Sequence, residues 1–370
     1  MRRNEFFSQL IIFLAVSTLP FIKIHLLKID GPETQLEYIK AYFLIQFIVP
    51  LIDGGAYWRD IRGRIQEKID TTLQGLSGWA FLAALTFATF DMKIALIILL
   101  SGALAWYNYT LQILRIESQS TRYYSERLLK IFIDLLLICL IYFLLESVNI
   151  YTILVSELLA VVITISIRKK HVAFQGVVTP FIFERPSNSD FAYVTLKTLR
   201  AHIFRVTIPY IYIESSIARI FIFILIYEIG TQFIATTFMR SLLDSKIVIK
   251  KALLVYAITI PLQIVILVYL GELLTFELAW IELICITFAG SARVLSIYTF
   301  TAVKNAYKLV TYSNNLILGV AIMLLSLAIA LPKTDDIQYS ILMTYFSIET
   351  LISLALIMIV EKKRIYGVKQ

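Results

Sequence analysis

The chain has 370 residues, of which 59% are apolar and 16% charged, and its net charge is +8. A soluble domain of this length does not need so little polar surface. The positive charge is scattered between apolar runs and is not gathered into one basic region, which excludes a nucleic-acid-binding protein.

Apolar runs of about twenty residues recur along the whole sequence, as membrane-spanning helices require. The short alternating segments of a β-barrel are absent. The expected fold is therefore all-α and polytopic, with about twelve transmembrane helices in two six-helix lobes. The first span, Phe6–Leu27, follows the basic start "MRR". It mimics a signal peptide, but no small-x-small cleavage site follows, so it reads as a retained span. Leu36–Tyr57, Leu73–Phe90, Ile94–Leu114, Leu128–Leu145 and Ile150–Ile167 complete the first six. A polar stretch from Arg168 to Arg200 follows, with two prolines and an Asn/Ser cluster in "FERPSNSDF", and reads as a linker. The second six are Ile203–Tyr227, Ile229–Leu243, Ala252–Leu270, Leu273–Ile297, Leu309–Leu331 and Ile337–Val360. The expected organisation is an N-terminal lobe over 1–170, a cytoplasmic linker over 171–200 and a C-terminal lobe over 201–370.

The basic residues test this count. With a cytoplasmic N-terminus, the inside segments hold 28 of the 34 Lys and Arg. Only Lys23, Lys28, Lys40, Lys93, Arg219 and Lys333 fall in outside loops or at the remaining span positions, away from the inside segments and the span ends that border them. That is the positive-inside bias, and it predicts both termini in the cytoplasm and an even number of spans, in what the apolar runs predict to be a multi-pass inner-membrane protein. The two cysteines, Cys139 and Cys285, sit inside apolar runs and read as core thiols. The three histidines, His25, His171 and His202, have no ligand spacing, and neither a metal nor an organic cofactor is expected.

Ionisable groups within spans cost roughly 2.5–3.5 kcal/mol each on insertion scales, so they face a cavity or a partner. The candidates are Asp53, Asp134, Glu157, Glu214, Arg219, Glu228, Glu282 and Glu349, with Lys23 and His25 near the outer end of the first span. Asp134, Glu157 and Glu228 lie close enough to span ends to be solvated there. In "YIESSIARIFIF", Tyr212, Ser215, Ser216 and Arg219 fall at helical spacing and form one polar stripe. Glu214 is about 140° from Arg219 around the helix, a poor intrahelical pair. Arg219 must find its anion elsewhere, either on Glu282 or Glu349 of another helix or on a substrate. Asp53 either bonds local backbone at a helix end or faces substrate. Glu349 and Glu282 are the deepest carboxylates and the candidates for coupling to H+ or Na+.

A faint internal echo joins the halves. "YSERLLKIF" (Tyr124–Phe132) and "YSNNLILGV" (Tyr312–Val320) open the fifth and eleventh spans. Enzyme motifs are missing: there is no G-x-S-x-G, H-E-x-x-H, Walker loop or G-x-G-x-x-G. "GAYWRDIRGR" has letters of the major-facilitator loop motif in the wrong register, with Arg59 where Asp belongs and Asp60 where Arg belongs.

"LIDGGAYWRDI" resembles the end of the second span in the O-antigen and polysaccharide flippases, part of the multidrug/oligosaccharidyl-lipid/polysaccharide exporter superfamily. The resemblance runs through Asp53, Gly55, Arg59 and Ile61, with Gly54 and Ala56 at positions the family fills with aromatics. "LQILRIESQSTRYYSERLLKIF" (Leu111–Phe132) resembles the family's basic loop between spans four and five. "ESSIARIFI" resembles the start of its second half, with Ala218 in place of an Asp and Arg219 kept. "LPKTDDIQYS" and the basic tail resemble its final hairpin. The resemblance implies a non-enzymatic flippase for an undecaprenyl-pyrophosphate-linked oligosaccharide, such as an O-antigen or other surface polysaccharide repeat unit. It would work by alternating access, beside a polysaccharide polymerase and a chain-length regulator, with membrane lipid around it. It also implies that Arg219, Glu214, Ser215, Lys23, Asp53 and Arg59 contact substrate, with Tyr212, Trp106 and Trp280 available to stack on sugars. A polymerase or acyltransferase of the same pathway, or a small-solute exporter, are the other readings.

Overall fold

The computed structural model describes residues 31–53, 71–116, 120–167 and 307–365, together with 15, 19, 20, 22–27 and scattered positions from 195 to 221. Two compact units divide the chain, 1–206 and 207–370.

In the first unit, residues 22–27 are helical. Helix α1 spans Pro32–Asp53. It follows Gly31, whose φ of +115° is a conformation that glycine adopts at little cost. Pro32 takes the first helical position, where its missing N–H would have no partner anyway. Glu33 suits the positive end of the helix dipole. Pro50 lies one turn before the end and removes the hydrogen bond to the carbonyl of Gln46.

Helices α2, Thr71–Ala88, and α3, Met92–Ile116, form an antiparallel hairpin. Asp91 caps α3, its Oδ1 accepting from the backbone N–H of Lys93 (2.9 Å) and Ile94 (3.2 Å). Helices α4, Ser120–Leu145, and α5, Ile150–Ile167, form a second hairpin. Glu146 takes a left-handed φ of 53° in the turn. Asn149 caps α5 reciprocally: its Oδ1 accepts from Thr152 N–H, and its own N–H donates to Thr152 Oγ1, each at 3.0 Å.

Helix α3 is the hub of the unit, packing against α1, α2, α4 and α5. Ile52, Leu73, Ala80, Ala105 and Tyr109 make one core where α1, α2 and α3 meet. Tyr107, Leu111, Leu114, Tyr123, Tyr124 and Val161 make the other where α3, α4 and α5 meet. Gly102 sits at the α2–α3 crossing, where an added Cβ would lie 3.8 Å from Ala80 Cβ, in ordinary contact. Gly102→Ala is therefore expected to be neutral or to stabilise by up to about 1 kcal/mol. Gly102→Leu, which must push the helices apart, is expected to cost about 1–3 kcal/mol. Thermal unfolding of the detergent-purified variants measures both.

In the second unit, α6, Tyr307–Ala330, and α7, Asp335–Ile365, pack as a hairpin closed by residues 331–334. Their buried apolar positions include Ile317, Ala321, Leu324 and Ala328 on α6 and Leu342, Tyr345 and Phe346 on α7. These recur at the three- and four-residue spacing of single helix faces.

Five helices among the described residues are long and apolar enough to cross a membrane: Glu33–Asp53, Met92–Leu111, Arg122–Leu145, Ile150–Ile167 and Tyr312–Ala330. The shorter apolar helix Gly75–Ala88 lies within α2, and the outer faces of α2 and α4 are apolar as well. Trp79, Phe81, Leu82, Leu85 and Phe87 are exposed on α2, and Phe132, Leu136, Leu140 and Phe143 on α4. Such belts are unfavourable in water and at home in lipid. The chain is a helical, multi-pass membrane protein.

The described helices coincide with expected spans two to six, eleven and twelve. Residues 15, 19, 20 and 22–27 fall in span one and 203, 205–207, 209, 210 and 221 in span seven; spans eight to ten, and with them the count of twelve, lie outside the described residues. Two expectations change. Helix α4 begins at Ser120, two turns before Leu128, because the charges placed in a loop there are helical and packed. Cys139 is exposed on the apolar face of α4 and is not a core thiol.

Candidate functional site: a buried four-charge cluster

Arg122, Glu126, Lys130 and Asp134 recur every four residues along α4 and alternate in sign. Side chains four apart stack on one helix face. Glu126, Lys130 and Asp134 are all buried, so this face points into the unit. The outer steps of the stripe are tied locally. Arg122 Nε lies 3.4 Å from Glu126 Oε1, and Tyr107 on α3 donates its hydroxyl to the Glu126 carbonyl at 3.1 Å. Arg127 leans over the Tyr123 ring, 5.8 Å from its centroid.

The inner steps meet two other elements. Lys23, from helical residues 22–27, is 1% exposed, and Asp134 is fully buried. Lys23 Nζ is 2.9 Å from Asp134 Oδ2 and 2.8 Å from Glu157 Oε2 on α5. The contact with Asp134 is an ion pair without the alignment of a good hydrogen bond. The contact with Glu157 is both. Lys130 Nζ donates to Glu157 Oε1 at 2.8 Å and stands 4.0 Å from Asp134 Oδ2. Ser156 Oγ reaches Asp134 Oδ1 at 3.3 Å. Two ammonium groups and two carboxylates thus form a closed, neutral cluster across three helical elements. Lys130 and Asp134 sit about 15 and 21 Å along a helix about 39 Å long, so the cluster lies near the middle of α4. Its one partly open member is Glu157, whose side chain is 20% exposed.

Asp134 and Glu157 are therefore not solvated at span ends, as their positions suggested, but are neutralised by lysines inside the unit. Lys23 faces these carboxylates and has almost no solvent contact. Lys130 closes the charged stretch Arg115–Lys130, which reads in the sequence as an inside segment, yet it pairs with Glu157 in this cluster. The alternating 122/126/130/134 spacing was the signal that would have found it.

Asp53 is the last residue of α1 and is half-buried. Glu349 is buried on α7, as is Thr350, and Ser313 and Asn314 are buried on α6, all in the second unit. Trp106 packs edge-on to Tyr109, with ring centroids 6.4 Å apart, beside the α1–α2–α3 core. Arg59, Glu214, Ser215, Arg219 and Glu282 lie outside the described residues. Lys93 pairs with Glu37 where α3 and α1 begin, a partly exposed contact far in sequence from the cluster. Among the described residues there is no group of His, Cys, Asp and Glu arranged to hold a metal ion.

No family model matches the chain, and no curated protein matches it. Among solved structures, it is similar to an outward-facing multidrug resistance MATE family transporter of the MOP superfamily. That likeness has 12% identity and a TM-score of 0.45, over 95% of this chain and 96% of that one. It is also similar to a MOP superfamily transporter from Pyrococcus furiosus, described by the reverse polarity of its binding pocket. Here the identity is 12% and the TM-score 0.46, over 96% of this chain and 97% of that one. At this identity, with scores below 0.5, the chain is similar to these transporters without being placed in their family.

Proposed function

We propose that the chain is a flippase that carries an undecaprenyl-pyrophosphate-linked oligosaccharide across the bacterial inner membrane by alternating access. The observation that carries the transporter reading is the four-charge cluster buried in a unit whose outside is apolar. Charges at that depth are costly and are kept where polar cargo or moving helices require them. Ion pairs joining separate helices can also break and re-form as those helices shift. The substrate class is supported by the stretches around Asp53–Ile61, Leu111–Phe132 and Glu214–Ile222 that resemble polysaccharide flippases.

The physics of the cargo fits. A diphosphate-sugar headgroup must cross about 30 Å of hydrocarbon. Guanidinium groups hold phosphate oxygens bidentately, which suits Arg219 and Arg59, with Glu214, Ser215 and Asp53 as polar neighbours for sugar hydroxyls. Lys23 contributes to such a path as the cation that neutralises Asp134 and Glu157. Glu349 and Glu282 are the carboxylates proposed to couple transport to H+ or Na+. A polysaccharide polymerase and a chain-length regulator are the proposed partners.

Reconstitution tests this directly. Proteoliposomes holding the purified chain and a fluorescent polyprenyl-pyrophosphate oligosaccharide are treated with a membrane-impermeant quencher. A flippase exposes the inner-leaflet pool to quenching on the time course of transport. Quenching that stops at the outer-leaflet half, as in protein-free vesicles, counts against it.

A further inference from the structure

Carboxylates from two helices converge on one point in the first unit, and an ammonium occupies that point. Asp134 Oδ2 and Glu157 Oε2 lie 2.9 and 2.8 Å from the same Lys23 Nζ. Lys130 supplies a second positive charge to Glu157, and the four groups sum to zero. Without Lys23 the remaining three would carry a net charge of −1 at a site almost closed to water. An uncompensated buried charge is strongly unfavourable, and it is relieved by taking up an ion or a proton.

We propose that Lys23 is a built-in cation, filling a two-carboxylate site between α4 and α5 that takes a free monovalent cation or a proton once the ammonium is removed. The native cluster then has no vacancy for a coupling ion, because one more positive charge would leave it at +1. Ser156 is neutral, and Tyr38 and Tyr42 of α1 are phenols, uncharged at neutral pH. Arg205, near Tyr42, has interactions of its own. His25 is exposed, and Glu126, one turn along α4, is held by Arg122. None of this depends on which cargo is carried.

The test uses the full-length chain purified in detergent and its Lys23→Met variant. Thermal unfolding is followed in sodium, potassium or N-methylglucamine chloride at equal ionic strength, at pH 7.5 and 5.5. The unsubstituted protein is expected to unfold at the same midpoint in all three salts. Lys23→Met is expected to be weakest in N-methylglucamine at pH 7.5. If a metal cation fills the site, sodium or potassium restores at least about 3 °C. If a proton fills it, the folded variant binds that proton more tightly than the unfolded chain, so the midpoint rises as pH falls in every salt. Lys23→Met/Glu157→Gln, neutral again, should be insensitive to salt. A Lys23→Met variant indifferent to both small cations and pH overturns the proposal, as does a sodium-dependent midpoint in the unsubstituted protein. Should Lys23→Met alone fail to fold, folding of the double variant supports the proposal and failure of both contradicts it.

Discussion

Asp134→Ala lowers the stability of the first unit by about 3–5 kcal/mol. Asp134 is fully buried and partners Lys23, with Lys130 at 4.0 Å. Its loss leaves two ammonium groups facing one carboxylate, a net charge of +1 with little access to water. The cost comes mainly from the charge left behind, which makes a compensating variant decisive. Lys23→Met/Asp134→Leu removes one charge of each sign and leaves Lys130 with Glu157, so it should recover most of the loss, since apolar replacement of a buried ion pair is often neutral or stabilising. The partly exposed pair of Lys93 with Glu37 is the control, and Glu37→Ala should cost no more than about 1 kcal/mol. Unfolding midpoints in lipid nanodiscs compare all three. Equal losses from Asp134→Ala and Glu37→Ala would mean that the buried cluster carries no special weight.

Arg219→Ala is expected to cut surface glycan about tenfold or more while the protein remains inserted and abundant. The expectation follows from the stripe of Tyr212, Ser215, Ser216 and Arg219 at helical spacing in an apolar run. A charge-assisted hydrogen bond is worth about 1.5–3 kcal/mol, a tenfold effect or more. Arg219→Lys keeps the charge but loses the two-pronged geometry, so it should rescue only in part. Glycan staining and immunoblotting of membranes measure the two quantities separately. Unchanged glycan display with Arg219→Ala removes Arg219 from the substrate path.

The apolar runs made the helices legible, because a span must satisfy every backbone group internally and so declares itself by length and hydropathy. The boundaries were less legible where charge and helix coincide. Lys130 looked like the end of a cytoplasmic loop, yet α4 carries it inward to Glu157. Hydropathy cannot separate a solvated lysine from one neutralised by a distant carboxylate. The partners are 27 and 134 residues away from Glu157 in sequence, beyond any local pattern. Asp134 and Lys23 are visible in the sequence as charges in spans, but their pairing is a property of packing. The internal echo shows the same limit. Glu126 and Asn314 are buried at equivalent places, whereas Tyr124 is buried and Tyr312 exposed, and Ser125 is exposed and Ser313 buried. Shared letters there do not mean shared faces.

The most direct test of the proposed flippase function is the location of lipid-linked repeat units after the protein is depleted. Right-side-out and inverted membrane vesicles from depleted cells are treated with a glycan-modifying enzyme that cannot cross the bilayer. Complete repeat units on undecaprenyl pyrophosphate should accumulate and react in inverted vesicles only, because they remain on the cytoplasmic face. Single units displayed on the outer face would instead indicate a lost polymerase. Unaltered glycan with changed drug sensitivity would indicate a small-solute exporter, and either result would contradict a flippase.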